Sequence, residues 1–180
     1  MGADTDLQIF ADYFQVYLSD LKADVDWSDA WKAPSALADR FIACEHILGF
    51  ATERNTTVPL RVVLHDVAPA LTHQVARADH AVKAGLFTTD RRLMVAGCSD
   101  YWPEAYSIPV LPGFYGAAFL SFGLASVNGV QGKDRYACTS GRSVKRRNPR
   151  SWSVGSQSSC PLRRCLHMAL SRRRTLNGTS

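Results

Sequence analysis

The sequence predicts a mainly β protein: an antiparallel β-sandwich with one short helix after the first strand, followed by a disordered basic C-terminal tail. Three observations carry this. Short apolar or alternating runs stand at close spacing between clusters of turn formers, and the long amphipathic stretches that a βαβ arrangement needs do not separate them. The composition, 46% hydrophobic and 21% charged over 180 residues, belongs to a globular chain of single-domain size and not to a fibrous or wholly disordered one. The charge also breaks sharply. Residues 1–136 hold 11 Lys and Arg against 16 carboxylates, a balance of −5, whereas residues 137–180 hold 10 Lys and Arg and no acid. The overall +5 describes neither part.

Residues 7–18 (LQIFADYFQVYL) read as the first strand, with Phe10, Phe14, Val16 and Leu18 on one parity and Tyr13, Gln15 and Tyr17 on an aromatic second face. An acidic stretch, residues 20–29, leads into Trp27-Ser28-Asp29-Ala30-Trp31, where Asp26 or Ser28 caps a short helix and the two tryptophans share one face. Pro34 interrupts that helix, and residues 35–40 restart a helical turn. Residues 46–53 (HILGFATE) and 58–66 (VPLRVVLHD) are the second and third strands, joined as a hairpin through Arg54-Asn55-Thr56-Thr57. Pro59 removes a ladder donor and points to an edge or strand-start position. Residues 68–79 read as loop with helical character. Residues 81–87 and 92–97 form a second hairpin about Thr88-Thr89-Asp90-Arg91, and residues 107–111 and 115–122 a third, turned by Pro112-Gly113.

The domain is expected to span 7–136 and the tail 137–180. The tail is crowded with serine and gathers too little apolar area to offset the entropy of ordering it. A basic tail that neutralises the phosphates of RNA or DNA, a solvated tail with no task, and a reading frame that slips near Tyr136 are three readings of it. The abrupt onset of acid-free, Arg- and Ser-rich text inside a β domain favours the last. The longest apolar run, residues 114–127, is broken by glycines and a serine and falls short of the ~20 residues of a membrane span. The N-terminus, Met1-Gly2-Ala3-Asp4-Thr5-Asp6, is acidic where a secretory signal is basic, which makes the cytoplasm the default compartment. Position 6 lacks the Ser or Thr of a myristoylation signal.

Motifs for chemistry are sparse. The five cysteines, Cys44, Cys98, Cys138, Cys160 and Cys165, show no CxxC spacing. Cys44 and Cys98 lie in apolar runs and are expected to be buried thiols, while the tail cysteines are expected to be exposed. His65-Asp66, His73 and Asp79-His80 match no compact ligand spacing, so surface or strand-end histidines are the simpler reading. Glu45 and His46, adjacent on a strand, face opposite ways and make no acid–base pair. No GxSxG, GxxxxGK[ST] or GxGxxG is present, and no catalytic residue, cofactor or metal is expected.

Four short motifs follow one another in order: Asp12-Tyr13-Phe14-Gln15 in the first strand, Asp26-Trp27-Ser28-Asp29 opening the helix, Gly49-Phe50-Ala51-Thr52-Glu53-Arg54-Asn55-Thr56 at the hairpin, and Pro112-Gly113-Phe114-Tyr115 late in the domain. Over roughly residues 8–120 this set resembles the ComJ family, small bacterial competence-associated proteins that inhibit a nuclease. The resemblance implies a non-enzymatic binding protein that occludes the active site of a partner, an endonuclease or another protein. It also implies a final strand with an aromatic-proline ending. Asp134-Arg135-Tyr136 looks like the start of that strand, after which the basic tail takes over. The last strand is therefore expected to be missing, leaving an unpaired edge.

On that reading Asp20, Asp24, Asp26 and Asp29 make a negative patch suited to a nuclease's basic cleft, Trp27 or Trp31 supplies a buried anchor, and Glu53 and Arg54 contribute from the hairpin tip. The plainer alternative is a solvated loop with two helix-capping aspartates. Tyr13, Tyr17, Trp27, Trp31, Tyr101, Trp102 and Tyr115 could stack nucleic-acid bases, but they sit in the acidic part of the chain, so core or interface packing is the expected role. Nucleic-acid binding by the Arg-rich tail is the alternative function, and it holds only if that tail is genuine.

Overall fold

A computed structural model describes residues 2–21, 27–143 and 153–156, the last four by their backbone. The strands are β1 (Ala3–Phe10), β2 (Gln15–Asp20), β3 (Phe41–Cys44), β4 (Ile47–Ala51), β5 (Thr57–His65), β6 (His80–Thr88), β7 (Arg92–Gly97), β8 (Tyr106–Pro109), β9 (Gly113–Phe122), β10 (Arg135–Arg142) and β11 (Ser153–Ser156). They form a six-stranded sheet in the order β1-β5-β10-β9-β6-β11 and a five-stranded sheet in the order β3-β4-β2-β7-β8. Neighbours are antiparallel except β5 and β10, which run parallel. The mainly β expectation holds, and the two sheets face each other across one core.

Alternation builds that core. In β5, Val58, Leu60, Val62 and Leu64 are buried while Thr57, Arg61 and His65 are exposed, the period of a half-buried strand. Val16, Leu18, Phe41, Leu48, Phe50, Leu93 and Val95 of the second sheet meet Val82, Leu86, Phe119, Tyr136 and Cys138 of the first. Phe50 and Phe119 stack across the interface with ring centroids 4.4 Å apart.

The strands are largely where the sequence predicts them, but their pairing is not. Residues 7–18 are two strands in different sheets. Between β1 and β2 the chain turns through a 3-10 segment, Asp12–Phe14, in which Tyr13 (φ 55°) and Phe14 (φ 62°) adopt left-handed backbone. Hydrogen bonds fix the corner: Phe14 N–H donates to Ala11 O (3.0 Å), and Thr52 N–H donates to Phe14 O (2.8 Å). The three expected hairpins are all sheet-to-sheet crossings, since β4 and β5, β6 and β7, and β8 and β9 belong to opposite sheets. A turn signal marks a reversal of the chain; which strand it then joins is decided by the apolar faces that must be buried together. Three consecutive pairs that do hydrogen-bond within one sheet lie elsewhere, β3 with β4, β7 with β8 and β9 with β10. Pro34 opens a helix, α1 (Pro34–Asp39), at its first position, and Trp27 immediately precedes a 3-10 turn, Ser28–Lys32, that contains Trp31. The loop-like segment 68–79 contains a second short helix, α2 (Thr72–Arg77).

The missing last strand is overturned. β10 continues through Arg142, past the boundary expected at 136, and lies between β5 and β9. Cys138 pairs with Val62 on one side and Phe119 on the other and is buried, not exposed. A serine, a threonine and a glycine hide such a strand from a hydrophobicity pattern, yet Thr139 and Ser140 are buried with it. Gly141 is needed because a Cβ there would lie 2.6 Å from the backbone nitrogen of Ala68. From the segment expected to be a disordered tail, β11 adds an edge strand, with Val154 opposite Val82. The rest of that expectation falls on residues 144–152 and 157–180, outside the described residues. No helix of the described residues is long and apolar enough to cross a membrane.

Candidate functional site

The inner face of the five-stranded sheet belongs to the core; its outer face carries Tyr17, Ile42 and Ile47, covered by the Ser28–Lys32 turn and α1. Around Tyr17 gather Trp27 (ring centroids 5.6 Å), Trp102 (6.1 Å) and Trp31, whose indole N–H donates to the Tyr17 hydroxyl at 2.8 Å. That hydroxyl donates in turn to Gln15 Oε1 at 2.5 Å. Trp27 and Trp102 stack with centroids 4.8 Å apart. All three tryptophans are only half-buried, so the cluster presents indole surface to the outside. Gly49 makes the packing possible: a Cβ there would lie 2.7 Å from Ile42 Cγ1, 2.9 Å from Tyr17 Cε1 and 3.0 Å from Trp31 Cζ2. Burial drives the Tyr17 phenol well above its ordinary range, and burial and the nearby Asp12 charge raise the Cys98 thiol, so both stay protonated near neutrality. The cluster offers shape and aromatic surface, not a reactive group.

The predicted site residues divide among separate places. Trp27 belongs to the indole stack, and Asp29 lies beside it, exposed and paired with Lys32. Asp24 and Asp26 lie outside the described residues. Asp20 is fully buried at the end of β2, where its Oδ2 accepts the Thr89 N–H (2.6 Å) and hydroxyl (2.8 Å), with His46 Nδ1 at 3.7 Å; it pins the β6–β7 crossing. Glu53 is buried against Arg40 at 2.9 Å. Arg54 pairs with buried Asp134 at 2.6 Å and donates to Val130 O at 3.1 Å. Tyr136 joins these two pairs, accepting the Glu53 N–H (2.7 Å) and donating to Asp134 Oδ2 (2.8 Å). Glu53 and Arg54 thus lock the β4–β5 crossing onto the start of β10.

Of the aromatic residues noted in the sequence, Tyr17, Trp27, Trp31 and Trp102 assemble, whereas Tyr115 is buried in the core with its hydroxyl donated to Leu111 O. Tyr17 and Trp102 are members the predicted site lacks, and Trp102 is the one that stacks on Trp27. The only signal of Trp102 in the sequence is a tryptophan in a mostly polar loop before a proline. Among the described residues no group of three or more His, Cys, Asp and Glu could hold a metal ion. His65 and His73 are exposed, and His80 is buried with Nε2 at 3.0 Å from Asp39 O. Cys44 and Cys98 are half-buried, less enclosed than expected.

The fold has solved counterparts. The structure of ComJ from Bacillus subtilis, described as the inhibitor of the DNA degrading activity of NucA, superimposes with a TM-score of 0.53 at 14% identity, covering 78% of this chain and 95% of that one. The fold is ComJ-like. A second structure, crocagin biosynthetic gene J, superimposes with a TM-score of 0.50 at 14% identity, covering 79% of this chain and 97% of that one. No protein-family profile and no curated protein sequence matches the chain.

Proposed function

We propose that this chain is a non-enzymatic, cytoplasmic protein-binding domain that acts as a nuclease inhibitor, covering a partner's active site with the face built on Trp27, Trp102 and Asp29. The observation that carries the reading is the stacked, half-buried Trp27–Trp102 pair seated on the outside of a sheet, with exposed Asp29 and Glu104 beside it. Indole anchors held by a rigid sheet enter a partner with little loss of side-chain freedom, and acidic neighbours speed encounter with a basic cleft. Asp24 and Asp26, in the segment leading to Trp27, add to that charge. Asp20, Glu53 and Arg54 serve the face indirectly, by fixing the crossings behind it. A shared fold with an inhibitor supports this role without carrying it.

The test is titration of the full chain against NucA with duplex DNA as substrate. Inhibition at stoichiometric ratio is expected. Trp27→Ala should weaken binding by about 2 kcal/mol, some thirtyfold, as at other aromatic hot spots. The triple change Asp24→Asn, Asp26→Asn, Asp29→Asn should weaken it chiefly at low salt. Full inhibition by all variants would remove this face from the mechanism, and none by the parent chain would remove the nuclease.

A further inference from the structure

Three large aromatic side chains outside the tryptophan cluster face solvent at one end of the sandwich: Phe10 is 47% exposed, Tyr13 57% and Tyr101 69%. They lie on two adjoining segments, the β1–β2 corner and the loop after β7. Gly97 lets these come together, since a Cβ there would lie 2.0 Å from Phe10 O, and its N–H donates to Asp100 Oδ2 at 2.7 Å within the loop. Asp12 is close enough to Cys98 to raise its thiol pKa, and Trp102, next to Tyr101, is already part of the indole stack. Residues 10–14 and 97–105 contain Asp12, Asp100 and Glu104 and no Lys or Arg.

The backbone at this corner adds an independent observation. Tyr13 and Phe14 are consecutive non-glycine residues at φ 55° and 62°, a conformation in which a Cβ crowds the carbonyl oxygen and which glycine or asparagine adopts more easily. The folded domain gains little from the Tyr13 ring, because more than half of it is in solvent. The corner therefore presents an aromatic ring outward at a position where the fold alone is better served by glycine.

We infer that Phe10, Tyr13 and Tyr101, rimmed by Asp12 and Asp100, are a docking site for an arginine-bearing segment of a protein partner. A guanidinium stacks flat on exposed aromatic rings and pairs with carboxylates in the same encounter, which a compact ammonium does less well. The acidic rim repels phosphates, so a nucleic acid does not fit. The choice of a protein occupant rests on the binding role proposed above, and it extends that face beyond Trp102 to the sandwich end.

The experiment uses the full chain and fluorescein-labelled hexa-arginine, hexalysine and hexaglutamate, read by fluorescence anisotropy at low salt, with urea unfolding of every variant alongside. Hexa-arginine should bind about threefold to fivefold more tightly than hexalysine, the size of an exposed cation–π preference, and hexaglutamate should not bind. Tyr13→Gly and Tyr101→Ser, which leave the charge unchanged, should each abolish the arginine preference, while the urea midpoint of Tyr13→Gly stays level or rises. Equal binding of arginine and lysine peptides, a preference that survives both substitutions, or a midpoint for Tyr13→Gly that falls with affinity would overturn the assignment. Tighter hexa-arginine binding after Arg172→Gln, Arg173→Gln and Arg174→Gln together would give the site to the chain's own arginines and overturn a partner occupant. No nuclease enters this measurement, so failure of NucA inhibition leaves its result intact, and loss of peptide binding leaves the Trp27 face standing.

Discussion

Tyr136→Phe removes one oxygen atom and keeps the ring. In the structure that oxygen accepts the Glu53 N–H at 2.7 Å and donates to Asp134 Oδ2 at 2.8 Å, on a side chain only 2% exposed. The ring remains beside Phe119, with centroids 5.7 Å apart, so a sizeable cavity is not created. The loss leaves a buried backbone N–H and one carboxylate oxygen without this partner, while Asp134 keeps its ion pair with Arg54. Each unsatisfied group costs about 1–3 kcal/mol, which places the substitution at roughly 2–6 kcal/mol. A domain of this size is stable by about 5–15 kcal/mol in total. With an m-value of about 2 kcal/mol per M in urea, the midpoint should fall by about 1–3 M with m unchanged, read by tryptophan fluorescence. Tyr106→Phe is the control: its hydroxyl donates to Thr5 Oγ1 at 2.8 Å in a half-buried setting where water can replace it, and a shift near 0.5 kcal/mol is expected. If Tyr136→Phe shifted the midpoint no more than the control, the Glu53–Tyr136–Asp134 chain would not be holding the sandwich end.

A chain ending at residue 136 should fail to give a cooperative unfolding transition, because it opens the six-stranded sheet between β5 and β9, whereas one ending at residue 143 should unfold cooperatively; calorimetry of the two decides it. Burial and the Arg40 charge lower the His80 pKa below its ordinary 6.5, so the unfolded chain takes up this proton first as pH falls. The His80 contribution is then fully present above about pH 6.5 and shrinks below it, and His80→Gln should flatten that part of the stability–pH curve measured by urea unfolding. Burial pushes the Cys138 thiol up to about 12. In a Cys160→Ser, Cys165→Ser background, iodoacetamide near pH 8 should label Cys138 only after denaturant is added, as read by mass spectrometry of the peptides. Gly49→Ala should lower stability by about 1–3 kcal/mol and change the tryptophan emission, since the added carbon meets both Tyr17 and Trp31.

How far the sequence carries the fold depends on which kind of signal an element leaves. β5 is legible because apolar and polar residues alternate through Val58, Leu60, Val62 and Leu64. β10 is not, because its buried residues include Thr139, Ser140 and Cys138, and the basic residues beyond it swamp the average. Thr88-Thr89-Asp90-Arg91 correctly marks a reversal, yet a hairpin and a crossing between sheets have the same local chemistry there. What separates them is the buried carboxylate of Asp20, far off in the chain, receiving the Thr89 N–H. The same limit applies to the site. Trp27 stands out in the sequence by its place in a motif, but its stacking partner Trp102 lies in a segment with no pattern. Charge alone cannot tell Asp29, in solvent, from Asp20 and Glu53, which are buried and satisfied from within.

The parallel pairing of β5 with β10 joins residues 57–65 to 135–142 across more than a third of the chain. Such a contact repays its loop-closure entropy late, which makes for slow folding. During synthesis the first nine strands can collapse, but β5 and β9 have no shared neighbour until Arg142 has been made. A ribosome that stalls even a few codons earlier leaves a nascent chain with two unsatisfied strand borders in the middle of its larger sheet, a species open to self-association and to quality-control proteases.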